Sequence, residues 1–283
     1  VLALALCLVA LFTISATAGA QGAKLDYVAL GDSYAAGPGI PVQIAVDTPP
    51  GCAQSSNNYP HDLAALASFV DLTDVSCSGA TTVHMTAPQV TAAGTNPPQL
   101  DSVTNKTDVV TLTIGGNDIG FSSIIVSCIS PTPVGTPCRD RYVTPAGDEL
   151  RQRIAATAPK IDAVLDGIEN RAHHARIVVV GYPDILPSSG PGCYSAALPF
   201  TAGDTIYLDG IERELNSMLR TEAHKHHAGF GDSYAASVGH DACTAPDVRW
   251  VEPLVPANPA APAHPNAKGE QAMARAALFG VFF

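Results

Sequence analysis

The run Asp108-Val109-Val110-Thr111-Leu112-Thr113-Ile114 constrains the fold of this chain more than any other stretch. It is β-branched and nearly all apolar, without the alternation of a strand that has one wet face. Such a strand is buried on both sides, which is the habit of parallel sheets covered by helices. It runs directly into Gly115-Gly116-Asn117-Asp118, a turn. Asp26 to Leu30 ends the same way in Gly31-Asp32-Ser33-Tyr34, and Arg176 to Gly181 ends in Tyr182-Pro183. Ser68 to Ser76 alternates as a strand and leads to Cys77-Ser78-Gly79, and a last short strand is expected near Gly229 to Tyr234.

Helical periodicity fills the intervals. Tyr59 to Ala67 reads as a short helix with Pro60 at its start and Leu63 and Leu66 inward. Pro145 is expected to open a longer helix with Leu150, Ile154, Ile161, Leu165 and Ile168 on its apolar face. Asp204 to His227 is another, with Ile206, Leu208, Ile211, Leu215 and Leu219 inward, and Pro265 to Leu278 closes the chain. Alternating strands and helices imply an α/β domain with a parallel sheet covered on both faces. Ligands of such sheets bind beyond the carboxyl ends of the strands, where Ser33, Gly79 and Asn117 each fall.

Val1 to Ala20 carries no charge, is rich in Leu, Val, Ala and Ile, and ends in small residues. It reads as the apolar and cleavage parts of a secretory signal, cut after Ala20 or Ala18. The basic start is missing and residue 1 is not Met, so the reading leaves room for residues upstream. Residues 21–283 then form a single domain, exported to the extracellular space, with no stable membrane insertion once the signal is removed. A net charge of −11 argues against a nucleic-acid partner.

Beyond Cys7 the cysteines are Cys52, Cys77, Cys128, Cys138, Cys193 and Cys243. An even number in an exported chain implies disulfides, and six allow fifteen pairings. Sequential pairing (Cys52-Cys77, Cys128-Cys138, Cys193-Cys243) closes three local loops and is the preferred reading. No Cys-x-x-Cys or Cys/His cluster is present, so no metal site is expected.

The strand ends carry complementary chemistry. Ser33 offers a hydroxyl on a Gly-flanked turn, Gly79 a backbone N–H with no side chain in the way, and Asn117 an amide. Acyl transfer through serine needs an attacking oxygen and donors where the oxyanion develops. The N–H groups of Ser33 and Gly79 and the amide of Asn117 would supply three, and His264, on a loop before the last helix, would be the base. In these blocks, taken in order, the chain resembles the SGNH hydrolases of the GDSL esterase/lipase family, and most of all the secreted actinobacterial esterases and lipases with three disulfides. The resemblance spans Asp26 to about Gln271 and supports the sequential disulfide pairing. It implies a flavodoxin-like three-layer α/β/α sandwich with a five-stranded parallel sheet in order 2-1-3-4-5.

One departure from the family pattern matters. Where relatives often place Asp, three residues before the His, this chain has Ala261, and Pro253 to His264 holds no carboxylate. A Ser–His dyad is therefore expected, with the Ala261 carbonyl orienting the imidazole; a distant acid such as Asp247 is the alternative. Gly231-Asp232-Ser233-Tyr234 nearly repeats the opening motif, but His226 to Phe230 before it is a poor buried strand, so Ser233 reads as structural. Asp32 and Asp118 read as turn residues, His224, His226 and His227 as a solvated helix end, and His240 as structural. The function expected is hydrolysis of carboxylic esters or lipids by a monomer that requires no cofactor. Acyl transfer to an acceptor alcohol and a phospholipase-type activity are the alternatives. The acyl pocket is expected among residues 37–58, 121–143 and 188–200, with Ile40, Ile44, Phe121, Ile124, Ile125 and Phe200 as its apolar walls.

Overall fold

A computed structural model describes residues 24–45 and 48–282. The expected signal, residues 1–20, lies outside the described residues. In chain order the strands are β1 (Leu25–Gly31), β2 (Val70–Asp74), β3 (Gln89–Thr91), β4 (Gly94–Asn96), β5 (Val109–Thr113), β6 (Val143–Thr144), β7 (Gly147–Asp148), β8 (Arg176–Val180) and β9 (Gly229–Gly231). The helices are α1 (Ser33–Ala36), α2 (Tyr59–Leu66), α3 (Phe121–Ser127), α4 (Pro137–Tyr142), α5 (Glu149–Glu169), α6 (Ala202–Lys225), α7 (Ser233–Ser237) and α8 (Ala267–Phe282).

The central sheet runs β2-β1-β5-β8-β9, every neighbouring pair parallel. Counted within the sheet this is the expected order 2-1-3-4-5, and the fold is the flavodoxin-like α/β sandwich. β3 pairs with β4, and β6 with β7, as small antiparallel hairpins away from the sheet. All five residues of β5 are buried, as its unbroken apolar pattern demands. α2 and α8 pack together on one side of the sheet, and α5 and α6 on the other. Leu30, Leu112, Val179, Ile161, Leu165 and Leu219 are fully buried in the resulting core. Each contributes roughly 1.5–3 kcal/mol relative to exposure.

Local chemistry explains the helix ends. The Asn58 side chain caps α2 by accepting the His61 N–H at 3.1 Å, with Pro60 in the first turn. The Thr201 hydroxyl accepts the Asp204 N–H at 3.1 Å and starts α6. α5 begins at Glu149 and not at Pro145, because the β6–β7 hairpin occupies that stretch and Asp148 supplies the cap, accepting the Leu150 N–H at 3.0 Å. Ile206, expected inward, is 41% exposed. At about 100° per residue it lies about 160° around the helix from Leu208, whereas Leu215 and Leu219 nearly eclipse Leu208. Leu66 also faces solvent, at the last residue of α2.

The three disulfides are Cys52–Cys77, Cys128–Cys138 and Cys193–Cys243, the sequential set. The first ties the long loop after α1 to the segment after β2. The second closes the excursion between α3 and α4. The third joins the loop before α6 to the segment after α7.

Candidate active site

The strand order reverses between β1 and β5, and Ser33 and Asn117 follow those two strands. The β1 turn is held tightly. The Asp32 N–H donates to the Thr113 carbonyl at 2.9 Å, and the Asp32 carboxylate caps α1 by accepting the Tyr34 N–H at 2.9 Å. A Cβ on Gly31 would lie 2.7 Å from the Thr113 carbonyl oxygen, so only glycine lets the two strand ends approach this closely. Gln99 grips Gly31 from the other side, accepting its N–H at 2.8 Å and donating to its carbonyl at 2.9 Å. Ser33 is thereby presented as the first residue of α1.

His264 meets it. The imidazole Nε2 lies 2.7 Å from Ser33 Oγ, and Nδ1 lies 2.7 Å from the Pro262 carbonyl. A carbonyl only accepts, so Nδ1 carries the proton and Nε2 is free to accept from the serine hydroxyl. The orienting carbonyl is that of Pro262, not of Ala261. Ala263 adopts a left-handed backbone (φ 57°), which turns the Pro262 carbonyl under the ring. The Ala261 carbonyl instead accepts the His264 backbone N–H at 3.2 Å. Among the described residues no carboxylate contacts the imidazole, and Asp247 uses its backbone carbonyl to accept from Lys268. Burial pushes the His264 pKa down, and the Pro262 hydrogen bond opposes this only in part.

Buried polar groups fix the base loop. Tyr34 donates its hydroxyl to the Ala263 carbonyl at 2.6 Å, and its ring lies 4.8 Å from the imidazole, tilted by 30°. Glu252 accepts the N–H groups of Ala257 and Asn258 at 2.9 and 3.1 Å and the amide of Asn266 at 2.8 Å. Burial pushes its carboxyl up, but these hydrogen bonds and that of the Asn258 amide overcome burial and hold it below the usual carboxylate range. Its backbone N–H donates to the His264 carbonyl at 2.9 Å. Sequence reasoning missed Glu252. Its only signal was a carboxylate beside an otherwise uncharged Pro-rich loop.

Asn117 lines the same pocket as Ser33, and the segment carrying Gly79 is tied to the end of β1 by the Cys77 N–H, which donates to the Gly31 carbonyl at 3.0 Å. The N–H groups of Ser33 and Gly79 find no acceptor among the described residues. Gly79 has φ 79°, a left-handed conformation that favours glycine, and a Cβ there would meet nothing nearer than the Gln89 amide nitrogen at 3.8 Å. The Asn117 amide donates one hydrogen to the Ala80 carbonyl at 2.9 Å, which leaves its second hydrogen unused. Asp118 joins the two blocks: its carboxylate accepts the Thr82 N–H at 2.9 Å and the Thr82 hydroxyl at 2.6 Å. Asp32 and Asp118 are thus turn residues, as expected. The Gly116 N–H donates to the Tyr182 hydroxyl at 2.8 Å, which donates to Asp32 at 2.6 Å. Burial pushes the Asp32 pKa up to about 7, against the pull of those hydrogen bonds.

A pocket opens beside Ser33. Phe121, Ile124 and Ile125 line it, as expected, but Ile40, Ile44 and Phe200 do not. Ile40 and Phe200 are instead buried in the protein interior. Asp32, Tyr34, Gly116 and Asn117 line it around Ser33, and further wall comes from Ile119, Tyr182, Ile185, Leu186 and the α6 residues Leu208, Ile211, Glu212 and Leu215. The α6 stripe was legible as an inward face but not as a pocket wall, because periodicity gives the side and not the neighbour.

Gly231-Asp232-Ser233-Tyr234 forms the same strand-to-helix turn, at the β9 edge, with Asp232 capping α7. Ser233 is only 1% exposed and its hydroxyl has no hydrogen-bond partner, base included. His240 stacks on Trp250 with ring centres 3.8 Å apart, a structural placement. His226 departs from the expected solvated helix end. It is mostly buried against α5, with Nε2 3.0 Å from Asp162 and Nδ1 3.2 Å from Glu169.

Comparison with known proteins supplies the family. The sequence model of the GDSL-like Lipase/Acylhydrolase family matches residues 29–272. Lipase 2 of Streptomyces coelicolor is 43% identical over 276 residues, covering 94% of this chain and 90% of that protein. The extracellular lipase of Streptomyces rimosus superposes with a TM-score of 0.75 at 28% identity, covering 90% of this chain and 99% of that one. Phospholipase A1 of Streptomyces albidoflavus gives 0.74 at 27% identity, covering 92% and 100%. The chain, with its serine and histidine joined at the switch point of the sheet, belongs to the GDSL-like lipase/acylhydrolase family and is a carboxylic ester hydrolase.

Proposed function

We propose that the protein is a secreted esterase or lipase working through a Ser33 acyl-enzyme and a Ser33–His264 dyad. The observation that carries this is the 2.7 Å approach of His264 Nε2 to Ser33 Oγ, with Nδ1 committed to the Pro262 carbonyl. Ser33 Oγ attacks the ester carbonyl carbon as its proton passes to Nε2. The oxyanion forms among the Ser33 N–H, the Gly79 N–H and the Asn117 amide. Collapse breaks the bond to the alcohol oxygen, which takes the proton from Nε2–H. Water then repeats the sequence: Nε2 accepts its proton, its oxygen attacks the acyl carbon, and Ser33 leaves reprotonated. The Pro262 carbonyl fixes the tautomer as a carboxylate would, but stabilises the imidazolium less.

The apolar wall of Phe121, Ile124, Ile125, Leu208 and Ile211 suits an acyl chain. The disulfides suit an oxidising, extracellular setting, and one similar structure is described as an extracellular lipase. Among the described residues no helix is long and apolar enough to cross a membrane. A fluorophosphonate probe tests the assignment: it should label Ser33 in the native protein and leave Ser33→Ala unlabelled. Labelling elsewhere, or full esterase activity in Ser33→Ala, would overturn it.

A further inference from the structure

Three segments that build the site carry no Asp, Glu, Lys or Arg: residues 119–138, 185–203 and 253–267. The first supplies Phe121, Ile124 and Ile125 to the pocket wall, the second supplies Ile185 and Leu186, and the third brings His264 to Ser33. Hydrogen bonds join the three into one connected layer. The Ser130 N–H donates to the Pro199 carbonyl at 2.8 Å, the Tyr194 hydroxyl to the Ser130 carbonyl at 3.0 Å, and the Val255 N–H to the Ala197 carbonyl at 3.3 Å. On this layer Val126, Ile129, Val134, Tyr194 and Val255 are exposed by 68, 48, 71, 36 and 61%. A single exposed valine is ordinary, but apolar side chains gathered on bonded, charge-free segments mark an interaction surface. Charge resumes only where each segment ends, at Arg139, Asp204 and Lys268.

We propose that this layer docks the protein on an electrically neutral lipid–water interface, from which ester substrates reach the pocket. The delivery of substrate rests on the reading of Ser33 as the nucleophile; the docking does not. Side chains without charge lose little hydration on entering a headgroup layer, and the exposed apolar ones gain by leaving water. Pro131, Pro133, Pro256 and Pro259 have no N–H to leave unpaired there. A lipid surface suits this face better than a protein partner, because α3 carries Ile125 in the pocket wall and Val126 in water. The apolar surface outside thus adjoins the apolar surface that takes the substrate. A net charge of −11 repels an anionic membrane, so the interface is a neutral one.

The test is flotation with phosphatidylcholine vesicles, using Ser33→Ala so that the lipid stays intact. That protein should float with the vesicles, and high salt should not release it, because no ion pairs hold it. Adding Val126→Glu and Val134→Glu together should weaken binding by about 10-fold or more. Adding Leu66→Glu instead should not, since Leu66 is an equally open apolar side chain (54% exposed) on α2, outside the layer. In the protein with Ser33 intact, the two glutamates should leave hydrolysis of soluble p-nitrophenyl acetate unchanged, which also shows that the variant is folded. Hydrolysis of a long-chain ester carried in phosphatidylcholine vesicles should fall with binding. The inference fails if the protein does not float, if Val126→Glu with Val134→Glu floats as well as its parent, or if only anionic vesicles bind and salt releases them. It fails too if sedimentation shows a dimer that these glutamates dissociate, for the layer then belongs to a second copy. If neither ester is hydrolysed by the native protein, the acyl-enzyme reading falls, while flotation still decides the docking.

Discussion

The hydroxyl of Tyr34 donates to the carbonyl of Ala263 at 2.6 Å, so the residue after the proposed nucleophile holds the residue before the proposed base. The two are 229 positions apart in the chain. The contact sits on the strained residue, Ala263 at φ 57°, which aims Pro262 at the imidazole. Tyr34→Phe keeps the ring against His264 and removes only this bond. Loss of about 0.5–1.5 kcal/mol of positioning should lower kcat by about 2- to 10-fold with little change in KM, read from steady-state kinetics on a short p-nitrophenyl ester.

Ser33 and Ser233 offer a controlled comparison, since both begin a helix after a strand within the same four letters. Ser33→Ala and His264→Ala should each reduce ester hydrolysis by about four orders of magnitude or more. Ser233→Ala should leave it largely intact, because that hydroxyl is buried without a base. Asn117→Ala should cost about 100- to 1000-fold in kcat as an oxyanion donor is lost. A Ser233→Ala enzyme as dead as Ser33→Ala would refute the assignment.

Burial of His264 lowers its pKa, and a lowered base pKa keeps the neutral imidazole available further into acid. The acid limb of kcat/KM should therefore bend below the ordinary histidine value of about 6.5 and be flat above it. A pH–rate profile on an ester of fixed chain length checks this. A bend above that value would mean that some acid does support the imidazolium.

His226 should make stability depend on pH. Burial lowers its pKa, but hydrogen bonds and charges from Asp162 and Glu169 outweigh that and raise it. A group with a raised folded pKa stabilises fully below its unfolded value, and the contribution vanishes as pH rises through the folded one. His226→Ala should thus lower the Tm more at pH near 5.5 than at pH near 9, measured by calorimetry across buffers. An equal loss at both ends would mean that only its packing counts.

Cys52–Cys77 closes 25 residues and ends two positions before Gly79. Replacing both cysteines by serine should cost about 3–4 kcal/mol by loop entropy. It should also depress kcat in the surviving folded enzyme, since the Ser78 N–H is held by the Cys52 carbonyl at 3.1 Å beside Gly79. Denaturant midpoints and kinetics on the same preparation separate the two effects. Unchanged kcat would show that the Gly79 turn stands without the bridge.

Much of this protein was legible in its residues, because the readable parts are local. The unbroken apolar run at Val109–Thr113 required burial on both faces, and the turns after β1 and β5 announced themselves by Gly, Asp and Asn. Those features settled a parallel α/β sheet and placed Ser33, Gly79 and Asn117 at one edge. Likeness to relatives then supplied strand order and the role of His264. Distance decided the rest. Which carbonyl faces the imidazole depends on one left-handed residue, Ala263, whose conformation is imposed from Tyr34 and Glu252 elsewhere in the chain. The pocket wall depends on which side chains of α6 share a cavity with those of α3, and helical period names a face without naming its partner. Sequence by itself determined the chemical parts and the layer that carries them. Tertiary structure decided how they are aimed and charged, since aim and charge are set by contacts between residues far apart along the chain.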